Sequence, residues 1–239
     1  MPTETMMRHL ELSVIMLSIL AALAAAGLWL WTEWSHHHAA VLVDRILTDK
    51  PLDTLDTVDV LADFPSPYYE ILPGKHLFYG STLAVAAADL PEHSEATRLK
   101  WISQARKALP VALAREPAYT HAWVHLAYAE WLDKGANQRS VDALRMSIYT
   151  SPADTQLLSW RLKLAGLNRD FWDPGFQDLV LRQVALAWRH NPKSLSEIAT
   201  AYHIDDLVRQ TLSDDPMELA RFNALAANPS VRKHNPGRR

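Results

Sequence analysis

A chain of 239 residues with 24 Lys and Arg against 27 Asp and Glu has a formal charge of −3, which gives no long-range field to gather nucleic acid and too little self-repulsion to disorder the whole. It has no cysteine, which excludes disulfides, thiolate nucleophiles and cysteine-bound zinc or iron–sulfur centres. Its 7 glycines are scattered, so neither a phosphate-cradling loop nor a dinucleotide fingerprint can be built from them.

Residues 1–11 form a polar tail that ends with Arg8 and Glu11. From Leu12 to Trp31 (LSVIMLSILAALAAAGLWLW) no side chain is charged. Twenty helical residues at about 1.5 Å each match a hydrocarbon core of roughly 30 Å. Trp29, Trp31 and Trp34 gather at the far end, where aromatic side chains settle among lipid headgroups. The segment therefore reads as one membrane span. A cleaved signal peptide is the competing reading, since Ala22-Leu23-Ala24 has the small-residue arrangement of a cleavage site. Against it, the apolar run continues past that tripeptide to Trp31, longer than an h-region of roughly 7–15 residues. Arg8 on one side faces Arg45 and Lys50 on the other, so the charge bias of the flanks does not decide orientation.

His36, His37 and His38 lead into residues 39–47, whose apolar pattern predicts a stalk helix of about three turns. Adjacent histidines on a helix point in different directions and do not converge on one ion, so they read as polar residues of the headgroup zone. Pro51, Pro65, Pro67 and Pro73 then break the pattern, and 32–75 as a whole reads as stalk plus proline-rich connector. Within it, residues 63–69 (DFPSPYY) read as a strap on the first helical unit, with a partner-docking segment as the alternative.

From His76 onward the chain is a succession of amphipathic helices, predicted near 76–89, 92–114, 118–133, 138–149, 153–166, 174–190, 194–201, 203–212 and 216–227. Pro91, Pro117, Pro152, Pro174 and Pro216 stand where first-turn prolines are tolerated. Ser194 with Glu197, and Asp215 with Glu218, have the spacing of a capping box. Pro110 should kink or split the second of these helices. Four basic residues in the last nine, with no apolar partner, predict a disordered tail over 230–239 that would suit anionic lipid or an acidic partner.

Aligned on its prolines, the chain repeats one helix ending: Leu109, Ala112 and Pro117; Leu144, Ser147 and Pro152; Val184, Ala187 and Pro192. The spacings are 35 and 40 residues, and a weaker ending from Ala224 to Pro229 follows after 37. Periods of this size imply stacked helical hairpins, in which the small residue lets two helices approach and proline stops the second. Trp123, Leu126 and Ala127 in one helix, with Leu144, Ser147 and Pro152 in the next, resemble the tetratricopeptide repeat family over residues 92–192. The unit departs from that pattern by an extra residue between its helices and by Glu130 where an aromatic is usual.

The resemblance implies an α-solenoid whose first helices line a groove for peptide segments of partner proteins. Carried onto this chain, that face is His121, Val124, His125, Tyr128, Trp131 and Leu132, and helical spacing independently puts 121, 125, 128 and 132 on one side. Packing of Tyr128 and Trp131 against a neighbouring unit is the plainer reading of the same spacing. His121 and His125 at i, i+4 would suit a metal, but no third ligand and no intervening glutamate of a hydrolytic zinc helix accompanies them. Asp205-Asp206 and Asp214-Asp215 stand at helix starts, where carboxylates satisfy free N–H groups. No nucleophile or acid–base motif is visible. Nine tryptophans invite comparison with sugar-stacking platforms, with core packing as the default reading.

The sequence thus predicts an all-α protein: a tail over 1–11, a transmembrane helix over 12–31, a stalk and connector over 32–75, a helical-repeat domain over 76–229 and a basic tail over 230–239. It reads as a non-catalytic scaffold without cofactor or metal, anchored in a bacterial inner membrane with its domain on the periplasmic face. It would bind protein partners of an envelope assembly and no nucleic acid, with carbohydrate binding through the tryptophan-rich face as the alternative. Residues 182–192 (RQVALAWRHNP) and 204–208 (IDDLV) resemble, in general character, anchored helical proteins of surface polysaccharide assembly.

Overall fold

A computed structural model describes residues 2–47, 74–88, 90 and 93–227, and all the regular structure among them is helical. The connector over 48–73, Pro91, the Pro229 ending and the basic tail lie outside the described residues. The chain divides into two compact units, residues 1–57 and 58–239.

The first unit holds α1 (Pro2–Leu47), an unbroken helix that takes in the polar tail, the apolar run and the stalk. Its stretch Ser13–Leu30 has a mean hydropathy of 2.2 and no buried residue, long and apolar enough to cross a membrane. Leu17, Leu23, Leu28 and Trp29 are all more than 60 % exposed.

The second unit is built from α2 (Gly74–Ala88), α3 (Glu95–Arg115), α4 (Thr120–Lys134), α5 (Gln138–Thr150), α6 (Leu158–Leu167), α7 (Pro174–His190), α8 (Pro192–Tyr202), α9 (Asp205–Thr211) and α10 (Pro216–Ala226), with one 3-10 turn at Arg169–Phe171. Each helix packs on the next in sequence. Helices two apart also touch: α2, α4, α6, α8 and α10 meet in succession, and so do α5, α7 and α9. The apolar stripes meet in a core from Val124 in α4 to Phe222 in α10, with a separate cluster of Leu77, Ala108 and Ala112 between α2 and α3. Short side chains bring helices close together. Ala122, Ala127 and Ala129 in α4 are fully buried, and the Ser140 hydroxyl of α5 donates to the Ala127 carbonyl at 2.8 Å.

The helix endings singled out by their prolines share one geometry. α3, α5 and α7 stop at Arg115, Thr150 and His190, and the next backbone N–H, from Glu116, Ser151 and Asn191, bonds to the carbonyl of the small residue, Ala112, Ser147 and Ala187. Leu109, Leu144 and Val184 are fully buried one turn earlier. Helix starts follow their caps: Ser94, Asn137 and Asp173 each accept a backbone N–H from the first turn that follows.

Five local expectations are corrected, one of them in part. α8 starts at Pro192 rather than near 194, because Asn191 caps it by accepting from the Ser194 N–H, and the Ser194 hydroxyl has no capping role. Asn191 also ends α7, so the two helices share one residue as joint. Helix α6 starts at Leu158, well after Ala153, because Asp154 accepts from the Gln156 N–H and holds residues 151–157 in turns. Pro117 and Pro152 accordingly sit in turns and not in first helical turns, whereas Pro174 and Pro216 do open their helices. Of the kink or split expected at Pro110, the split does not occur: α3 runs on through it, with Pro110 on the exposed side. Asp215 caps α10, but Glu218 does not reach back, since its carboxylate accepts from the Trp188 indole N–H at 2.8 Å.

Two buried polar groups tie the unit together. Arg161 of α6, 1 % exposed, donates to the Ser147 hydroxyl at 3.0 Å, the Ser147 and Ser151 carbonyls at 2.6 and 3.0 Å, and the Gln183 side-chain oxygen at 3.0 Å. Gln183 passes the link on to the Pro152 carbonyl at 2.8 Å. The partners of Arg161 are neutral, and the carbonyls at the end of α5 supply the compensating negative potential. Burial nevertheless draws the Arg161 pKa down to about 10. Glu130, the departure from the repeat pattern, forms a fork with Arg106 of α3 at 3.0 and 3.1 Å, and Asp133 completes the set at 2.5 Å.

Candidate functional site

Helix α4 carries the six residues that sequence reasoning places on a partner-binding face. Val124 and His125 are buried, while His121, Tyr128, Trp131 and Leu132 are half-buried. The difference comes from α2. Phe78 meets the His125 ring edge-on with centroids 5.4 Å apart and also packs against Tyr119 at 4.4 Å, covering the first turns of α4 on that side. His125 loses its water there, its Nδ1 finds no hydrogen-bond partner, and burial pushes its pKa down to about 3. His121 is lowered too, first by burial and then by Arg161, with Asp154 acting the other way.

The open part of the face is therefore the second half of α4. Tyr128 and Trp131 stack at 5.9 Å with their planes 11° apart, and Trp160 of α6 meets Tyr128 edge-on at 5.3 Å. All three rings are half-buried: packed on one side and accessible on the other. One turn beyond Trp160, the Lys163 ammonium lies 5.7 Å from its ring centre. Among the described residues no carboxylate pairs with Lys163, whereas Arg98, Arg106, Arg145, Arg169 and Arg221 each have one.

The other tryptophans of the second unit serve packing. Trp101 and Trp188 are core residues, and the indoles of Trp123 and Trp172 donate to the carbonyls of Pro117 and Ala165 at 2.8 and 3.2 Å. Tryptophan count alone could not separate them from Trp131 and Trp160; the signal that separates them is the position of those two on neighbouring alternate helices.

A small cleft of about 120 Å³, announced by no local pattern, opens between α6 and α8. Leu158, Leu162, Leu195 and Ile198 form its floor, and Thr155, Ser159 and Ser194 lie on its polar rim. Ligand pockets for drug-sized molecules run to roughly 300–1,000 Å³, so the cleft suits one side chain and not a cofactor.

The carboxylate pairs are accounted for by the fold. Asp206 forks onto Arg169, Asp205 accepts from Thr200 at 3.4 Å, and Asp215 caps α10. Among the described residues no group of three histidines or carboxylates is placed to hold a metal ion. No family model matches the chain, and neither a curated protein nor a solved structure matches it.

Proposed function

We propose that this protein is a membrane-anchored adaptor whose helical unit binds protein partners through the Tyr128, Trp131 and Trp160 face. The carrying observation is that these three rings lie half-open on two alternate helices. Aromatic side chains supply large contact area at small cost in conformational entropy, which is why they dominate interface energetics. The alternate-helix contacts and the shared geometry of the three helix endings support reading the unit as a short α-solenoid of the tetratricopeptide kind. The apolar stretch of α1 supports anchorage, here assigned to a bacterial inner membrane with the unit on the periplasmic face, in an envelope assembly such as surface polysaccharide export.

The test is cross-linking and pull-down of the full chain from detergent extracts, beside a Trp131→Ala/Trp160→Ala variant of unchanged helicity. The reading expects envelope membrane proteins with the parent chain and their loss with the variant. Equal recovery from both, or no envelope protein from either, overturns it. Saturable binding of a polysaccharide by the purified chain alone would replace it with the carbohydrate reading. A reporter active only outside the cytoplasm, fused to the C-terminus, tests the topology.

A further inference from the structure

The aromatic face and the cleft lie on opposite flanks of the same helix. In α6, Leu158 and Leu162 dip into the cleft on the α8 side and Trp160 leans against Tyr128 on the α4 side. At 100° per residue, Ser159 and Lys163 fall between these flanks, and both are partly open to solvent. A surface path therefore runs from the Tyr128 and Trp131 stack, across Lys163, to the cleft.

Each station on this path selects a chemical group. The cleft floor is aliphatic and its volume is about that of one branched side chain, so it suits a Leu or Ile. Its rim offers hydroxyls from Thr155, Ser159 and Ser194, which both donate and accept, as the backbone of an extended segment requires. No carboxylate lines it. Lys163, a cation with no acidic partner among the described residues, holds its ammonium by the Trp160 ring, on the helix face between the cleft and the aromatic stack, and calls for negative charge.

We infer that the occupant is an extended peptide segment of a partner protein that places an aliphatic side chain in the α6–α8 cleft and an acidic side chain at Lys163, with its next residues over the Trp160, Tyr128 and Trp131 rings. This rests on the adaptor reading and names the chemistry of its partner. It also predicts selectivity, because a basic residue at the second position would meet Lys163 and a serine at the first would leave the aliphatic floor in contact with water.

The test uses the purified full chain in detergent micelles and fluorescein-labelled, end-blocked octapeptides of three kinds: acidic plus leucine, lysine plus leucine, and acidic plus serine. Binding is read by fluorescence anisotropy. The acidic–leucine set should bind roughly tenfold or more tightly than either other set. Lys163→Glu should reverse the preference between acidic and basic peptides. Ser194→Leu, which fills the mouth of the cleft, should remove the preference for leucine over serine while leaving helicity unchanged. Should Ser194→Leu fail to fold, Ser159→Leu makes the same test from the α6 rim. Equal binding of the three sets, or preferences that neither substitution alters, overturns the inference. If the pull-down partners still depend on Trp131 and Trp160 in that case, the adaptor reading stands and only this inference falls. Binding of polysaccharide and of no peptide set overturns both.

Discussion

Arg161 and Ser147 meet through two bonds at the end of α5: the guanidinium donates to the Ser147 hydroxyl from Nε and to its carbonyl from Nη2. A side chain of α6 thus gives the last turn of α5 a second donor, beside the Ser151 N–H that the Ser147 carbonyl already accepts. Replacing Arg161 by Lys exchanges a planar fork for a single ammonium and loses two or so of these bonds, at a cost of about 2–3 kcal/mol. Arg161→Ala adds a cavity and removes the donor from the Gln183 side-chain oxygen, from the Ser147 hydroxyl and from two carbonyls that keep the backbone N–H groups of Ser151 and Asp154, and should cost about 3–5 kcal/mol. Chemical unfolding followed by circular dichroism checks both, and a loss below about 1 kcal/mol for Arg161→Ala would contradict the assignment.

His125 makes the helical unit sensitive to acid. The unfolded chain takes up its proton near 6.5 and the folded one only near 3, so between those values the unfolded state binds more protons. Stability therefore falls as pH drops through that window, by about 2 kcal/mol between pH 7 and pH 5 from this group alone. His125→Leu, which keeps the contact with Phe78 and removes the titration, should flatten that part of the profile. Urea midpoints at the two pH values for the parent and the variant measure it.

The Arg106 cluster should respond asymmetrically. Glu130→Ala leaves Arg106 paired with Asp133, whereas Arg106→Leu leaves Glu130 buried without a cation. Removing the cation should cost about 3–5 kcal/mol, near the range for breaking a buried pair, and removing the anion noticeably less. Equal losses in thermal unfolding would argue against the geometry.

Gly166 reverses an ordinary rule. In a helix interior an alanine is usually the more stable by about 0.5–1 kcal/mol. Here an added methyl would lie 2.6 Å from the Tyr202 carbonyl oxygen and 2.8 Å from its Cβ, because α6 and α8 pass close together at that point. Gly166→Ala should therefore lower stability by about 1–3 kcal/mol, read as a drop in Tm.

These residues also mark how far the sequence could be read. The apolar run of α1, the helical character of the chain beyond His76 and the buried residues of the three proline-marked endings follow from local pattern, because hydrophobic spacing and proline act within a few residues. The start of α6 was misplaced, since an Asx turn at Asp154 competes with the helix and only tertiary contacts decide between them. Nothing in the local sequence marks Arg161; its burial depends on α5 and α7 arriving around it. The candidate face was legible on α4 alone. Trp160, Lys163 and the cleft belong to it only because α6 and α8 stack alongside, and no spacing within one helix announces that.

Asn191 gives the cleft a property of its own. Its backbone N–H closes α7 on Ala187 while its side-chain oxygen opens α8 on Ser194, so no slack residue separates the two helices. The wall formed by Ala187, His190, Asn191 and Ser194 is a corner fastened from both directions. A side chain entering there would meet a slot whose width is already set, so little ordering entropy would be spent in seating it.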